Sequence, residues 1–141
     1  MVDDAAVRVY VDASALVKLV ITEAESASLR RFLSKDPLLV SSRIAAVEVR
    51  RVAARQDEVG TEAQVEALLG AVHFVEMDEA MALAAGTAPP PSLGSLDAIH
   101  LAAAQLVASE VTAVVIYDRR LADAAQGAGL TVIAPSSTRL N

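Results

Sequence analysis

The sequence predicts an α/β domain: a three-layer α/β/α sandwich around a short, mostly parallel central sheet. Two observations support this prediction. Short apolar and β-branched runs alternate along the chain with segments of helical composition, which is typical of parallel strands joined by crossover helices. The strand candidates are also continuously apolar, as expected for strands covered on both faces. At 141 residues the chain has the size of one domain, and no linker divides it, so we expect residues 1–141 to form a single domain.

The first half of the chain is predicted to contain two strands and four helices. The run 7–11 is β-branched and aromatic, helical composition follows over 13–21 and 24–35, and Asp36-Pro37 ends that pattern. A second strand is expected at 38–40. Ser42 is a candidate cap for a helix over 43–56, and Thr61 with Gln64 has the form of a capping box opening a helix over 61–69.

The second half repeats the alternation. Strands are predicted at 72–75, 111–117 and 130–133. Asp78 is expected to cap a helix that ends near residue 85, and Ser95 a helix that ends near residue 109. A last helix is predicted at 119–126. These elements complete a β/α pattern in which every strand can lie parallel to its neighbours.

Composition excludes several classes of protein. A hydrophobic fraction of 54% with a mean hydropathy of +0.43 is incompatible with intrinsic disorder. The longest uncharged stretch, 80–96, is interrupted by glycines and prolines and is too short to cross a bilayer. The N-terminal residues lack the features of a secretory signal, and there is no cysteine for a disulfide, a thiolate zinc site or a nucleophile. We therefore expect a soluble, cytoplasmic protein.

The net charge of −6 argues against non-specific binding to a polyanion, because the whole molecule would repel it at long range. The charge is unevenly distributed, however. Residues 30–55 hold seven basic side chains and two acidic ones, and six of the seven are arginines. Arginine is suited to forked contacts with phosphate. A local anion-binding surface and an ordinary solvated helix face are both compatible with this cluster.

Four carboxylates stand out by their positions. Asp12 and Asp118 each follow a predicted strand, and ligand sites in open α/β sheets form at the carboxyl ends of strands. Each could equally be a helix cap. Glu48 and Asp97 lie beside the apolar faces of their predicted helices, where an unpartnered charge is costly. Four acids in one crevice would need a cation, and oxygen ligands without cysteine favour Mg²⁺ or Mn²⁺.

The same residues lie in segments that resemble a known family. Tyr10-Val-Asp-Ala-Ser-Ala-Leu-Val-Lys18 looks like the first motif of PIN-domain ribonucleases, specifically of VapC-type toxins. Ile44-Ala-Ala-Val-Glu-Val-Arg-Arg51 resembles the second motif, the segment 95–104 the third, and the segment 117–125 the fourth. The four motifs occur in the family's order and cover nearly the whole chain.

The resemblance implies the fold already predicted and assigns a site. Asp12, Glu48, Asp97 and Asp118 would be the catalytic and metal-binding acids, with Mg²⁺ or Mn²⁺ as cofactor, and Ser14 would support the metal or the phosphate. Many relatives carry a hydroxyl residue two positions before the fourth acid, where this chain has an isoleucine. The resemblance also implies endonucleolytic cleavage of structured RNA, a homodimer and inhibition by a VapB-type antitoxin. The candidate RNA contacts are Arg43, Arg51, Arg55, Arg119 and Arg120.

Two other classes of function compete with the ribonuclease. A Mg²⁺-dependent phosphatase of haloacid-dehalogenase type would carry a second aspartate two residues after the first, where this chain has Ser14. A non-catalytic receiver or binding module with an acid pocket would need a lysine late in the sheet, whereas Lys18 and Lys35 are the only lysines.

Three further expectations concern single side chains and one surface. His100 is expected to be packed or hydrogen-bonded rather than a metal ligand, and Lys18 to face solvent. The early helices carry many apolar residues, of which Phe32 is one, so we expect an exposed groove there that would receive the antitoxin.

Overall fold

The computed structural model describes residues 7–56 and 58–136. Its centre is a five-stranded sheet whose neighbouring strands are all parallel. The strands are β1 (Arg8–Val11), β2 (Leu38–Ser42), β3 (Val72–Val75), β4 (Ala113–Val115) and β5 (Val132–Ile133). They are arranged in the order β3-β2-β1-β4-β5. The predicted single domain over 1–141 includes residues 1–6, 57 and 137–141, which lie outside the described residues.

Helices cover both faces of this sheet, as predicted. Within the described residues they are α1 (Ala13–Val17), α2 (Ser26–Phe32), α3 (Ile44–Ala54), α4 (Thr61–Gly70), α5 (Glu79–Gly86), α6 (Ser95–Leu106) and α7 (Arg119–Gly127). Side chains alternate along β1, so Val9 and Val11 join a core with α1 to α4, whereas Tyr10 joins a second core with α5, α6 and α7. The two cores define an α/β/α sandwich. None of the helices in the described part of the chain is long and apolar enough to cross a membrane.

The structure corrects two of the predicted helix caps. The helix α4 follows Gly60, whose φ of 95° lies in the left-handed region, and the amide of Gln64 donates to the Gly60 carbonyl rather than taking part in a capping box. Glycine adopts this backbone conformation without the cost that a Cβ atom imposes. Likewise Gly94, not Ser95, precedes α6, and no side chain caps that helix. The Asp78 cap is confirmed, since its carboxylate accepts from the Met81 amide.

The first helix is shorter than predicted. It ends at Val17, after which the chain turns, with the Ile21 amide donating to the Val17 carbonyl. This turn carries Lys18 inward, so the prediction that Lys18 faces solvent is wrong: its side chain is only 11% exposed. Ser26 stabilises the turn because its hydroxyl donates to the Lys18 carbonyl at 2.7 Å.

The predicted apolar groove on the early helices is smaller than expected. Leu16 and Leu29 are fully buried in the first core, and Val17 is almost so. Phe32, at the end of α2, remains 41% exposed. Most of this apolar surface therefore packs against the sheet. Among its large side chains, Phe32 is the one that is still exposed in the predicted groove.

Candidate active site

The first and fourth acids lie at one edge of the sheet. β1 and β4 are hydrogen-bonded neighbours, with Val11 opposite Val115, and the Asp12 amide donates to the Val115 carbonyl at 3.3 Å. Asp12 and Asp118 therefore leave the sheet at the same carboxyl edge. Each also caps the helix that follows, because Asp12 Oδ1 accepts from the Ala15 amide and Asp118 Oδ1 from the Leu121 amide. Both aspartates therefore lie at the end of a strand and cap the helix that follows.

Asp12 is the most buried of the four acids. It is 3% exposed, and the Ser14 hydroxyl donates to its Oδ1 at 2.7 Å. The same hydroxyl oxygen accepts from the Tyr117 amide, so Ser14 joins the end of β1 to the segment after β4. Burial raises the pKa of Asp12, the Ser14 hydrogen bond opposes that shift, and the Glu48 charge adds to it.

Glu48 and Asp97 approach the same edge from two helices. Asp97 lies in the first turn of α6, and His100, one turn later, contacts Glu48 Oε1 of α3 through its Nε2 at 2.8 Å. Burial raises the pKa of Asp97, and the charges of Asp118 and Glu48 raise it further. The electrostatic coupling thus links Asp12 to Glu48, and Asp97 to both Glu48 and Asp118. Asp12, Glu48, Asp97 and Asp118, which are far apart in sequence, therefore interact electrostatically and form an acidic edge of the sheet.

The donor set suits a hard cation. Asp12, Glu48 and Asp118 each use one carboxylate oxygen in a hydrogen bond to the protein. Their second oxygens, and both oxygens of Asp97, accept no hydrogen bond from the residues that the structure describes. Oxygen ligands of this kind match Mg²⁺ or Mn²⁺. Within 7–56 and 58–136, no group of three or more acidic, histidine or cysteine side chains is already arranged to hold an ion.

The structure divides the predicted RNA-contacting arginines into two groups. Arg43 forms a two-point ion pair with Glu76 at 3.0 and 2.6 Å, and its guanidinium stacks on the Phe74 ring. Arg50, which was not among the predicted RNA contacts, pairs in the same way with Glu66. These arginines have their charges compensated on the protein surface.

The other group has no such partner. Arg51, Arg55, Arg119 and Arg120 are exposed, and none forms an ion pair with another described residue. Arg51 and Arg55 follow Glu48 by three and seven residues, so they lie on its face of α3. Arg120 is close enough to Asp97 for its charge to oppose the upward shift of that acid's pKa. Arg119 and Arg120 directly follow Asp118 in the chain, and Arg51 lies one helical turn from Glu48.

His100 is buried and hydrogen-bonded, as predicted from the sequence. It is 2% exposed, and its Nδ1 lies 2.7 Å from the Tyr10 hydroxyl while its Nε2 contacts Glu48. The partnership with Tyr10 and Glu48 was not predicted. The only sequence signal for it is that Tyr10 and His100 fall within two and three residues of predicted acids, and that signal does not identify partners.

Solved structures of bacterial proteins share this fold. Mycobacterium tuberculosis VapC20, described as a sarcin-ricin loop cleaving toxin, superposes with a TM-score of 0.68 at 16% identity, over 90% of this chain and 99% of that chain. VapBC2 from Rickettsia felis, bound to a DNA fragment from its promoter, gives a TM-score of 0.66 at 11% identity, over 91% and 99%. These similarities establish a shared fold.

Sequence comparison places the chain in a family. The PIN domain pattern matches residues 9–127. Ribonuclease VapC46 of Mycobacterium tuberculosis is 40% identical over 91% of this chain and 98% of its own length, and Ribonuclease VapC47 of the same species is 36% identical over 93% and 99%. The chain belongs to the PIN-domain family, among the ribonucleases named VapC. This membership favours the ribonuclease over the phosphatase and the binding module.

Proposed function

We propose that this protein is a Mg²⁺- or Mn²⁺-dependent endoribonuclease toxin that hydrolyses phosphodiester bonds of structured RNA. Asp12, Glu48, Asp97 and Asp118 hold the ion and are the catalytic acids. The observation that supports this assignment best is the electrostatic coupling of these four carboxylates at the carboxyl edge of β1 and β4. Burial of Asp12 and Asp97, together with repulsion from the neighbouring acids, disfavours the negative charge on these two carboxylates, and a divalent cation would offset it.

The chain's own residues prepare the site for in-line displacement at phosphorus. An ion bound there would activate a water molecule and offset the charge that grows on the reacting oxygens. Ser14 holds one oxygen of Asp12 and leaves the other available. The backbone amides at the starts of α1 and α7 hold Asp12 and Asp118 in the same manner. The acids are thereby oriented before substrate binds, which lowers the cost of reorganisation.

RNA reaches this edge past the arginines that form no ion pair with another described residue. We assign phosphate contacts to Arg51 on α3, to Arg55 directly after α3, and to Arg119 and Arg120 at the start of α7. Arg43 was also a predicted contact, but its ion pair with Glu76 would have to break first, so we expect little from it. Local arginines offset the repulsion between RNA and a protein of net charge −6.

Two partners are part of the proposal. Structural neighbours include VapBC2 and FitAcB from Neisseria gonorrhoeae, and we propose that a VapB-type antitoxin inhibits this chain, with a basic side chain of its own placed among the four acids.

We also propose a homodimer. The large apolar side chains Leu83, Leu96 and Leu106 of α5 and α6 are 69%, 47% and 63% exposed, which suits a subunit interface. Light scattering on the purified protein tests the dimer.

The Asp12→Asn variant tests the nuclease. Removing one ligand carboxylate should reduce Mg²⁺-dependent RNA cleavage by at least about 10²-fold, and EDTA should abolish cleavage by the wild type. Asp78→Asn is the matched control, because Asp78 also caps a helix through its carboxylate and asparagine caps equally well. Cleavage by Asp12→Asn at the wild-type rate would contradict the proposed site.

The same pair of variants has a signature in thermal stability. Because folding raises the pKa of Asp12 above its ordinary value of 3.8, the folded state binds the proton more tightly, and stability falls as pH rises through the folded pKa. Without divalent ions, Asp12→Asn should therefore melt at or above the wild-type temperature near pH 7, and the difference should shrink towards about pH 4. Mg²⁺ should then stabilise the wild type and Asp78→Asn more than Asp12→Asn.

A further inference from the structure

We propose that His100 is a positioning residue: its Nε2–H holds one oxygen of Glu48 and so presents the other oxygen to the ion. The inference rests on the proposed function, because it takes Glu48 to be a metal ligand. The contact itself is a hydrogen bond of 2.8 Å between His100 Nε2 and Glu48 Oε1. It connects α6, which carries Asp97, to α3, which carries Glu48.

The direction of this hydrogen bond follows from the chemistry of its groups. An ionised carboxylate only accepts hydrogen bonds, so His100 Nε2 must carry the proton that lies between them. In the neutral ring, Nδ1 then has a lone pair and accepts from the Tyr10 hydroxyl, which lies 2.7 Å away. Donation from the fully buried Tyr10 hydroxyl occupies the Nδ1 lone pair and so stabilises the tautomer whose Nε2 donates to Glu48. The order of donation is Tyr10 to His100 to Glu48.

His100 itself has no free group for catalysis. Both ring nitrogens are engaged, and the residue is 2% exposed. It therefore acts on the reaction only through Glu48. Without it, the half-buried Glu48 side chain would rotate about its three side-chain torsions, since no other hydrogen bond from the described residues restrains it. Hydrogen-bond partners of metal ligands commonly change metal affinity or activity by about 10–100-fold when they are removed.

Two substitutions separate the donor function of His100 from its packing. In His100→Asn the side-chain oxygen can still accept from Tyr10, but the side chain is too short to donate to Glu48. In His100→Gln the longer amide can return an N–H to Glu48. His73→Asn is the matched control, because His73 lies exposed on β3. Binding of Mn²⁺ alone, measured by electron paramagnetic resonance, is compared for these proteins and the wild type.

We expect His100→Asn to weaken Mn²⁺ binding by about 10–100-fold, while His100→Gln recovers most of the affinity and His73→Asn leaves it unchanged. Steady-state RNA cleavage at fixed Mn²⁺ should show a lower kcat for His100→Asn with little change in KM, because no RNA contact is lost. Tyr10→Phe keeps the buried ring and removes only the hydroxyl. It should weaken Mn²⁺ binding by less than His100→Asn does, and it provides the test if the His100 variants do not fold.

The inference is overturned if His100→Asn, or Tyr10→Phe in its place, binds Mn²⁺ as tightly as the wild type. It is also overturned if His100→Gln folds but restores nothing, since the residue would then matter through packing alone. Failure of the proposed function gives a different result, because the wild type and His73→Asn would themselves bind no Mn²⁺. Asp12→Asn completes the comparison: loss of binding there with wild-type binding in His100→Asn contradicts only the role of His100.

Discussion

The ammonium group of Lys18 contacts three side chains: two glutamates and one tyrosine. Its Nζ donates to Glu23 at 3.1 Å and to Glu25 at 2.9 Å, and it lies 4.6 Å from the centre of the Tyr117 ring. Burial lowers the pKa of Lys18, but the hydrogen bonds to the two glutamates outweigh it and raise the pKa overall. The residue thus remains charged and ties the turn after α1 to the segment after β4.

We predict that Lys18→Met lowers the melting temperature by roughly 2–6 °C. Methionine keeps the apolar stem but cannot bond to Glu23 and Glu25, and both glutamates would lose their compensating charge. The effect is modest because the glutamates are partly exposed and solvent screens the pairs. Lys35→Met, at an exposed lysine, is the matched control and should change the melting temperature little. Equal melting temperatures for the two variants would mean that the Lys18 contacts add nothing.

At the scale of single residues, sequence reasoning proposed which acids form a site but did not identify the residues that surround them. Asp12 and Asp118 could be selected because the end of a strand is visible in a sequence and has a known place in a parallel sheet. The surroundings of Lys18 could not, because Tyr117 approaches it only after the whole sheet has formed. The partnership of Tyr10, His100 and Glu48 escaped prediction for the same reason.

The helix α3 carries two differently used charged faces. Arg43 and Arg50 are seven residues apart, point to one side and are bound by Glu76 and Glu66. Glu48, Arg51 and Arg55 lie on another side, and Glu48 belongs to the acidic edge. Helical periodicity explains the separation, since residues three, four and seven apart share a face. One element therefore serves surface ion pairing on one side and the proposed RNA path on the other.

This division predicts unequal effects of arginine substitutions on RNA binding. Arg55→Ala or Arg51→Ala should weaken RNA binding and remove about one phosphate contact. The slope of the logarithm of the binding constant against the logarithm of the salt concentration should then become shallower by roughly 0.7–0.9. Arg50→Ala removes the same charge from the opposite side and should change the slope much less. Titrations of a non-cleaving Asp12→Asn background at several salt concentrations measure both. If Arg50→Ala and Arg55→Ala behave alike, the arginines act only as diffuse charge.

Element types were easier to predict than element boundaries. Every predicted strand exists, because continuous apolar runs in a β/α alternation leave few alternatives. The capping residues of α4 and α6 were misjudged because Thr61 and Ser95 fit a capping pattern, whereas Gly60 and Gly94 occupy the cap positions. The predicted fourth strand, 111–117, was too long: β4 covers only Ala113–Val115. Apolar composition continues past the point where Val115 ends the ladder with β5.

At the scale of the whole molecule, the proposed toxin should be silenced by a second protein. We predict that the product of the adjacent reading frame binds this chain and abolishes its Mg²⁺-dependent RNA cleavage. Phe32, the exposed remnant of the apolar surface on the early helices, is the test position, and Phe32→Asp should weaken binding of that product without reducing cleavage by the free enzyme. Arg31→Asp, at an exposed neighbour, controls for added charge. If the product neither binds nor inhibits, the toxin–antitoxin assignment fails although the nuclease can stand.

The order of strands in the sheet has a consequence for synthesis of the protein. β1 is central in the sheet yet comes first in the chain, and its neighbour β4 comes near the end, with Val9 opposite Ala113. At ordinary translation speeds the ribosome needs roughly 5–20 s to proceed from Asp12 to Asp118. During that interval the emerging polypeptide lacks the strand that aligns Asp12 and the fourth acid of the proposed site. A nascent chain therefore cannot assemble the proposed site until nearly the whole protein has been synthesised.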